Sequence, residues 1–243
     1  MTEVAPGLHR LGTELVNWYL LEQDDQFVVF DAGYPGYYKE LERVLAARGR
    51  QASDISAVLL THGDPDHIGF AERLRRQGVP VYLHEADIGL ARLKSKKTEQ
   101  RLMPNLRHRA FRRHLGHALR SGMPRRLRES RPIRDGEVLA VPGDPRVVHI
   151  PGHSEGSCGF YLSDQRALIA GDSFCMLSPI TGETGPQVMP AALNFSTPMA
   201  RASLERVTDL DTHLVLPGHG APWRGSTGEL AERLGIFAKQ PRS

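Results

Sequence analysis

The segment Thr61-His62-Gly63-Asp64-Pro65-Asp66-His67 constrains this chain more than any other. It sets two imidazoles and two carboxylates side by side, directly behind the apolar run Ile55, Ala57, Val58, Leu59, Leu60. A buried strand that ends in such a cluster delivers several ligand-type side chains to the C-terminal edge of a sheet, where binding loops collect. Imidazole suits zinc and iron, and carboxylate suits harder cations, so the mixture fits one or two divalent transition metals. Taken alone, the stretch also reads as a polar turn with surface histidines.

Four further exits weigh against the polar turn. Phe27-Val28-Val29-Phe30 runs into Asp31-Ala32-Gly33, and Val147-Val148-His149-Ile150-Pro151-Gly152 runs into His153. Leu168-Ile169-Ala170-Gly171 runs into Asp172, and Leu214-Val215-Leu216-Pro217-Gly218 runs into His219. Glycine beside a ligand lets backbone approach without a Cβ clash, and proline fixes the entry to a loop.

The order Asp31, His62-x-Asp64-x-Asp66-His67, His153, Asp172, His219 resembles the metallo-β-lactamase superfamily, from Asp31-Ala32-Gly33 to Pro217-Gly218-His219-Gly220. The resemblance implies an α/β fold, a four-layer αβ/βα sandwich with a dinuclear site between its two sheets. It implies that His62, Asp64 and His153 hold a first metal, that Asp66, His67 and His219 hold a second, and that Asp172 bridges them. Asp31 would then be the carboxylate that orients a ligating imidazole. The chain departs from the family's H-x-H-x-D-H at Asp64. An oxygen ligand there makes the first site harder, so two divalent ions are expected, zinc first, with iron or manganese as alternatives.

A chain of 243 residues with 40% hydrophobic and 24% charged content can bury one large core, so a single domain over residues 1–243 is expected. Met1 to Gly7 lack a basic-then-apolar signal pattern, and no apolar run is long enough to span a bilayer. A cytoplasmic protein without membrane partners is the expectation. Cys158 and Cys175 make no disulfide framework and are read as small packed side chains.

Charge is unevenly placed. Residues 92–134 hold 15 of the 31 Lys and Arg against two acids, Glu99 and Glu129, which leaves 16 basic and 26 acidic residues elsewhere. Within this basic stretch Leu106, Ala110, Phe111, Leu115, Ala118 and Leu119 recur at helical spacing, predicting an amphipathic helix over residues 105–121. A helical cap insert over residues 85–134 is expected, following a strand over 79–83. It is read either as a solvated face or as an attractor for an anionic small-molecule substrate. Nucleic acid is not expected, since Phe111 is the only stacking ring there. His114 and His117, with His108 and His84, are read as helix surface rather than ligands. Residues 177–190 read as a Pro- and Gly-rich loop beside the site, and residues 198–210 as a core helix.

A metal-dependent hydrolase using a metal-activated hydroxide follows from such a centre. Asp66, beyond ligating, could accept a proton and pass it to the leaving group. No Gly-x-Ser-x-Gly elbow competes. A carboxylic ester, lactone or thioester is the favoured substrate. Phosphodiester hydrolysis, supported by the basic stretch, and iron redox chemistry, supported by Asp64, are the alternatives.

Overall fold

Alternating and continuous apolar runs build two sheets that face one another. The structure, a computed structural model, describes residues 1–236, and the expected domain end at residue 243 lies outside them. The first sheet takes β1 (Thr2–Ala5), β2 (Leu8–Gly12), β3 (Asn17–Gln23), β4 (Gln26–Phe30), β5 (Ile55–Leu59), β6 (Val81–His84) and β7 (Arg131–Ile133) in that order. Pairing is antiparallel from β1 to β4 and parallel from β4 to β7. The parallel strands need crossovers, supplied by α1 (Tyr38–Ala46), α2 (Ala71–Arg76) and the segment after β6 that carries α3 (Ile88–Ala91) and α4 (Arg109–Ser121).

The second sheet is built from β8 (Arg146–His149), β9 (Cys158–Leu162), β10 (Ala167–Gly171), β13 (Leu214–Pro217) and β14 (Trp223–Arg224), in the order β14-β13-β10-β9-β8. A separate hairpin joins β11 (Cys175–Leu177) to β12 (Thr184–Gln187). Helices α5 (Thr197–Leu204) and α6 (Thr227–Arg233) follow in the last third of the chain.

Three apolar layers hold this together. Leu59, Val28 and Phe30 from the first sheet meet Phe160, Ile169 and Leu216 from the second. The Phe30 and Phe160 rings lie 5.7 Å apart. On the outer face of the first sheet, Val29, Val58 and Leu83 pack with Leu41 and Leu74 of α1 and α2. On the outer face of the second, Leu168 and Val215 pack with Leu204 and Leu230 of α5 and α6. Helix, sheet, sheet, helix is the expected four-layer sandwich, and the C-terminal ends of β4, β5, β10 and β13 converge on one rim.

Several boundaries differ from the pattern-based expectation. The helix expected over 105–121 breaks at His108, into a short 3₁₀ turn at Met103–Arg107 and then α4. The Arg112 guanidinium donates to the Leu106 and Arg107 carbonyls, which lets the chain turn there. The strand expected over 79–83 begins at Val81, because Pro80 has no N–H to donate. The segment expected as a loop over 177–190 carries the hairpin, and the helix expected over 198–210 ends in a 3₁₀ turn at Glu205–Val207. Strand β7 falls inside the expected 85–134 insert yet pairs with β6 in the first sheet.

Candidate metal centre

The rim brings together every residue singled out for a metal. His62, at the exit of β5, and His67 lie with ring centroids 4.1 Å apart and planes tilted by 45°, and His153 meets His62 edge-on at 4.7 Å. His219 crosses His67 at 5.8 Å. Three donor groups lie close enough to hold an ion: His62 with Asp64 and His153, His62 with His67 and Asp172, and Asp66 with His67 and His219. Asp172, at the exit of β10, sits at their centre. Its Oδ2 lies 3.0 Å from His219 Nε2, 3.5 Å from His153 Nε2 and 3.9 Å from His62 Nε2. Its Oδ1 lies 3.4 Å from His67 Nε2. Asp66 Oδ2 is 3.7 Å from His219 Nε2.

These spacings fit a cation. Donors about 2.0–2.2 Å from one tetrahedral ion sit roughly 3.3–3.6 Å from each other. His62 Nε2, His67 Nε2 and Asp172 Oδ1 are buried with no hydrogen-bond partner among the described residues. Buried polar atoms without partners are costly, and a divalent ion is the group that would satisfy all three.

Positioning starts at Asp31. Its backbone takes a left-handed φ of 58°, which aspartate tolerates better than most residues. The carboxylate accepts from Thr61 N at 2.8 Å and approaches His67 Nδ1 at 2.8 Å, so the latter nitrogen carries the proton and Nε2 faces Asp172. Beside it, a Cβ at Gly218 would overlap Asp172 Oδ1 and the His67 ring. The glycine before His219 is a steric requirement. His219 Nδ1 bonds the Leu15 carbonyl, and Asn17 and Tyr19 donate to the Pro217 carbonyl to hold that loop.

Three positioning residues escaped the sequence reading. Buried Asp87 accepts from Gly63 N at 2.9 Å, Ser154 Oγ at 2.6 Å and Gly156 N at 2.8 Å, tying the loop of His62 to the loop of His153. Asn194 offers Oδ1 to His153 Nδ1 at 3.3 Å, while its Nδ2 donates to the Met189 carbonyl. Lys96, in the basic stretch, places Nζ 2.7 Å from Asp64 Oδ2 and 2.9 Å from His153 Nε2. Asp87 and Asn194 carry no local pattern that would mark them, and Lys96 is one of a run of lysines.

The surface reading of His114 and His117 is corrected. Helix α4 turns both inward: His114 Nε2 lies 3.3 Å from Tyr34 Oη and 3.8 Å from Asp66 Oδ2, and His117 Nε2 bonds Tyr37 Oη at 2.6 Å. Tyr34 and Tyr37 supply polar partners that the helix periodicity could not reveal. His84, by contrast, stacks on His149 at 4.2 Å, away from the donor cluster. Both cysteines are buried, and burial pushes their thiols well up.

Charge is concentrated in the cluster. Burial alone would disfavour the charged form of His67, but Asp172, Asp31 and Asp66 hold its pKa up at about 10. Burial opposes ionisation of Asp172, yet His219 and His67 keep its carboxyl well below the usual range. His114 is driven the other way, to about 4, by burial and by His219. A cavity of about 540 Å³ is lined by Leu15, Arg109, Arg113, Leu177 and Pro179, among others, and meets the cluster through Leu15, whose carbonyl bonds His219 Nδ1. The hairpin and α4 wall it, with Phe111 packed on Ile180 and Ala192.

Comparisons with known proteins bear on the family and the fold. A family model described as the metallo-beta-lactamase superfamily matches residues 11–219. A Bacillus subtilis protein named "Probable metallo-hydrolase YflN" is 27% identical, covering 96% of this chain and 92% of its own length. Hydroxyacylglutathione hydrolase GloC of Haemophilus influenzae is 24% identical over 75% of this chain and 76% of its own. Atrochrysone carboxyl ACP thioesterase AgnL7 of Paecilomyces divaricatus is 25% identical over 90% of this chain and 54% of its own. Among solved structures, the metallo-beta-lactamase family protein TTHA1429 of Thermus thermophilus superposes with a TM-score of 0.68 at 28% identity, covering 95% of this chain and 79% of its own. TTHA1623, in a di-iron-bound form, superposes with 0.63 at 27% identity, covering 94% and 98%.

Proposed function

The chain belongs to the metallo-β-lactamase superfamily and is a metallo-hydrolase of that fold, and from that premise we propose that it hydrolyses a carboxylic ester, lactone or thioester. The observation that carries this reading is the Asp172 carboxylate, which faces His67, His153, His219 and His62 across 3.0–3.9 Å. His62, Asp64, Asp66, His67, His153, Asp172 and His219 are the residues proposed to face metal, and zinc is the ion proposed first. The di-iron form of one structural neighbour supports iron as the alternative.

When bound, a divalent ion supplies Lewis acidity and a water that loses its proton near neutral pH. The protein's own groups do the rest. Asp31 fixes the His67 tautomer, the Leu15 carbonyl fixes His219, and Asp66 stands between His219 and His114 as the proposed acceptor of a proton for the leaving group. The cavity beside the centre admits an acyl or leaving group of modest size, and Arg109 and Arg113 at its wall suit a carboxylate or phosphate on that group. The segment around α4 acts in this reading as a cap. A thioester is favoured because relatives include a thioesterase and a hydroxyacylglutathione hydrolase.

A panel of acyl thioesters, lactones, aryl esters and phosphodiesters tests the proposal, assayed before and after chelation. Chelator-sensitive turnover of an ester or thioester, restored by added zinc or iron, is expected. Turnover confined to phosphodiesters would replace the reading with its rival.

A further inference from the structure

The first pole of the centre already holds a cation of the chain's own. Lys96 Nζ lies 2.7 Å from Asp64 Oδ2 and 2.9 Å from His153 Nε2, and those two acceptors are themselves only 2.9 Å apart. The tautomer of His153 shows why they need a bridge. Asn194 Nδ2 donates to the Met189 carbonyl at 2.8 Å and lies 3.1 Å from Thr197 Oγ1, which turns its Oδ1 toward His153 Nδ1. An amide oxygen only accepts, so His153 Nδ1 carries a proton and Nε2 presents a lone pair. A lone pair and a carboxylate oxygen at that distance repel unless a positive donor bridges them. The Lys96 ammonium is that donor, with three hydrogens on one compact charge.

The position also matches the departure from the family pattern. A histidine at 64 would present a second lone pair of neutral charge, whereas Asp64 presents a full negative charge that pairs with an ammonium. Lys96 side-chain exposure is 14%, so this ion pair is largely shielded from water. The other pole is different in kind. His67 Nε2 and Asp172 Oδ1 have no partner among the described residues, and no lysine or arginine there is paired with them or with Asp66 or His219, while His62 Nε2 of the first pole is also without a partner, 3.6 Å from Asp64 Oδ2.

We propose that the Lys96 ammonium takes the place of the first divalent ion, so that the protein holds one metal, at the pole of Asp66, His67, His219 and Asp172. This inference rests on the metallo-hydrolase reading and sharpens it: the centre becomes one metal paired with a fixed ammonium. An ammonium beside one metal gives the site a hydrogen-bond donor where the dinuclear pattern has a second Lewis acid. Metal at the remaining pole is then held by two imidazoles and two carboxylates.

Metal content measures this directly. Apo-protein is dialysed to equilibrium against zinc, and separately titrated with cobalt while its visible spectrum is followed, for wild type, Lys96→Ala and Lys96→Arg. One metal per chain is expected for wild type and for Lys96→Arg, and two for Lys96→Ala, with the cobalt spectrum saturating at one and two equivalents respectively. Two metals in the wild type overturn the inference while leaving the metallo-hydrolase reading intact, and this holds even if a variant fails to fold. One metal in both wild type and Lys96→Ala also overturns it, since Lys96 would then exclude nothing. No tightly held metal in any form overturns the metal reading itself.

Discussion

Asp31 shows how much of this centre depends on a single proton. It bonds His67 Nδ1 and Thr61 N from opposite oxygens, and the imidazole can face a metal through Nε2 only while Nδ1 keeps its hydrogen. Asp31→Asn keeps an acceptor for Thr61 but turns an N–H toward His67, which forces the other tautomer. Metal affinity should fall about 10–100-fold, the range seen when such partners are lost. Competition against a chelating dye measures it, and an unchanged affinity would refute the tautomer argument. The donor residues were legible because Asp172 and His219 sit one or two positions beyond an apolar strand, and His153 and the His62–His67 cluster within eight, each group with glycine in its loop, a purely local pattern. Lys96, Asp87, Asn194 and His114 were not. Their roles depend on where a loop passes or how a helix rotates, and nothing within a few residues of them records that.

At the scale of elements, the basic stretch is fastened to the body through Glu72 of α2. Its buried carboxylate accepts from Arg75 and Arg76 and from the backbone N–H of Arg128. The Arg75 guanidinium first, with Arg128 N and Arg76, holds its pKa down at about 2 against burial. A carboxyl depressed in the folded state adds stability that is full above its unfolded pKa, about 4.5, and is lost as pH falls through 2. Glu72→Gln should therefore lower the unfolding free energy, measured in urea at pH 6, by up to about 3 kcal/mol and show no gap near pH 2. A gap independent of pH would contradict the ion-pair account.

The arginines of α4 separate in the same way. Arg109 and Arg113 line the cavity, whereas Arg112 is spent on carbonyls of the preceding turn. Reversing charge at Arg109 and Arg113 should lower kcat/KM for an anionic substrate several-fold at low salt and little at high salt, because exposed charges are screened over about 10 Å at 0.1 M. Arg112→Glu should spare the salt dependence. Equal effects of all three would mean general charge rather than the cavity. Periodicity located α4 but not its break at His108, because the break is set by a side chain reaching back to carbonyls. The hairpin after Asp172 was hidden by its Pro and Gly content, which reads as loop.

For the whole molecule, the order of motifs along the chain carried the fold, since five separated strand exits can meet at one rim only if two sheets present their ends together. What the sequence could not show is which strand ends the first sheet, and β7 emerged from the tail of the basic stretch. The sheets are held by a shared apolar layer, and Phe160 lies fully buried at its middle. Phe160→Ala should destabilise the protein by about 3–5 kcal/mol, read from denaturant unfolding, and a loss under about 1 kcal/mol would mean the sheets do not share that core. No helix among the described residues is long and apolar enough to cross a membrane.

The central claim is that these strand ends exist to hold metal, and anomalous diffraction tests it most directly. Crystals of protein purified without added metal would be measured on both sides of the zinc and iron absorption edges. The account predicts an anomalous peak about 2.0–2.2 Å from His67 Nε2 and His219 Nε2, touching Asp172, with no comparable peak between Asp64 and His153. Crystals soaked in zinc or iron that show no peak within bonding distance of Asp172 would contradict it.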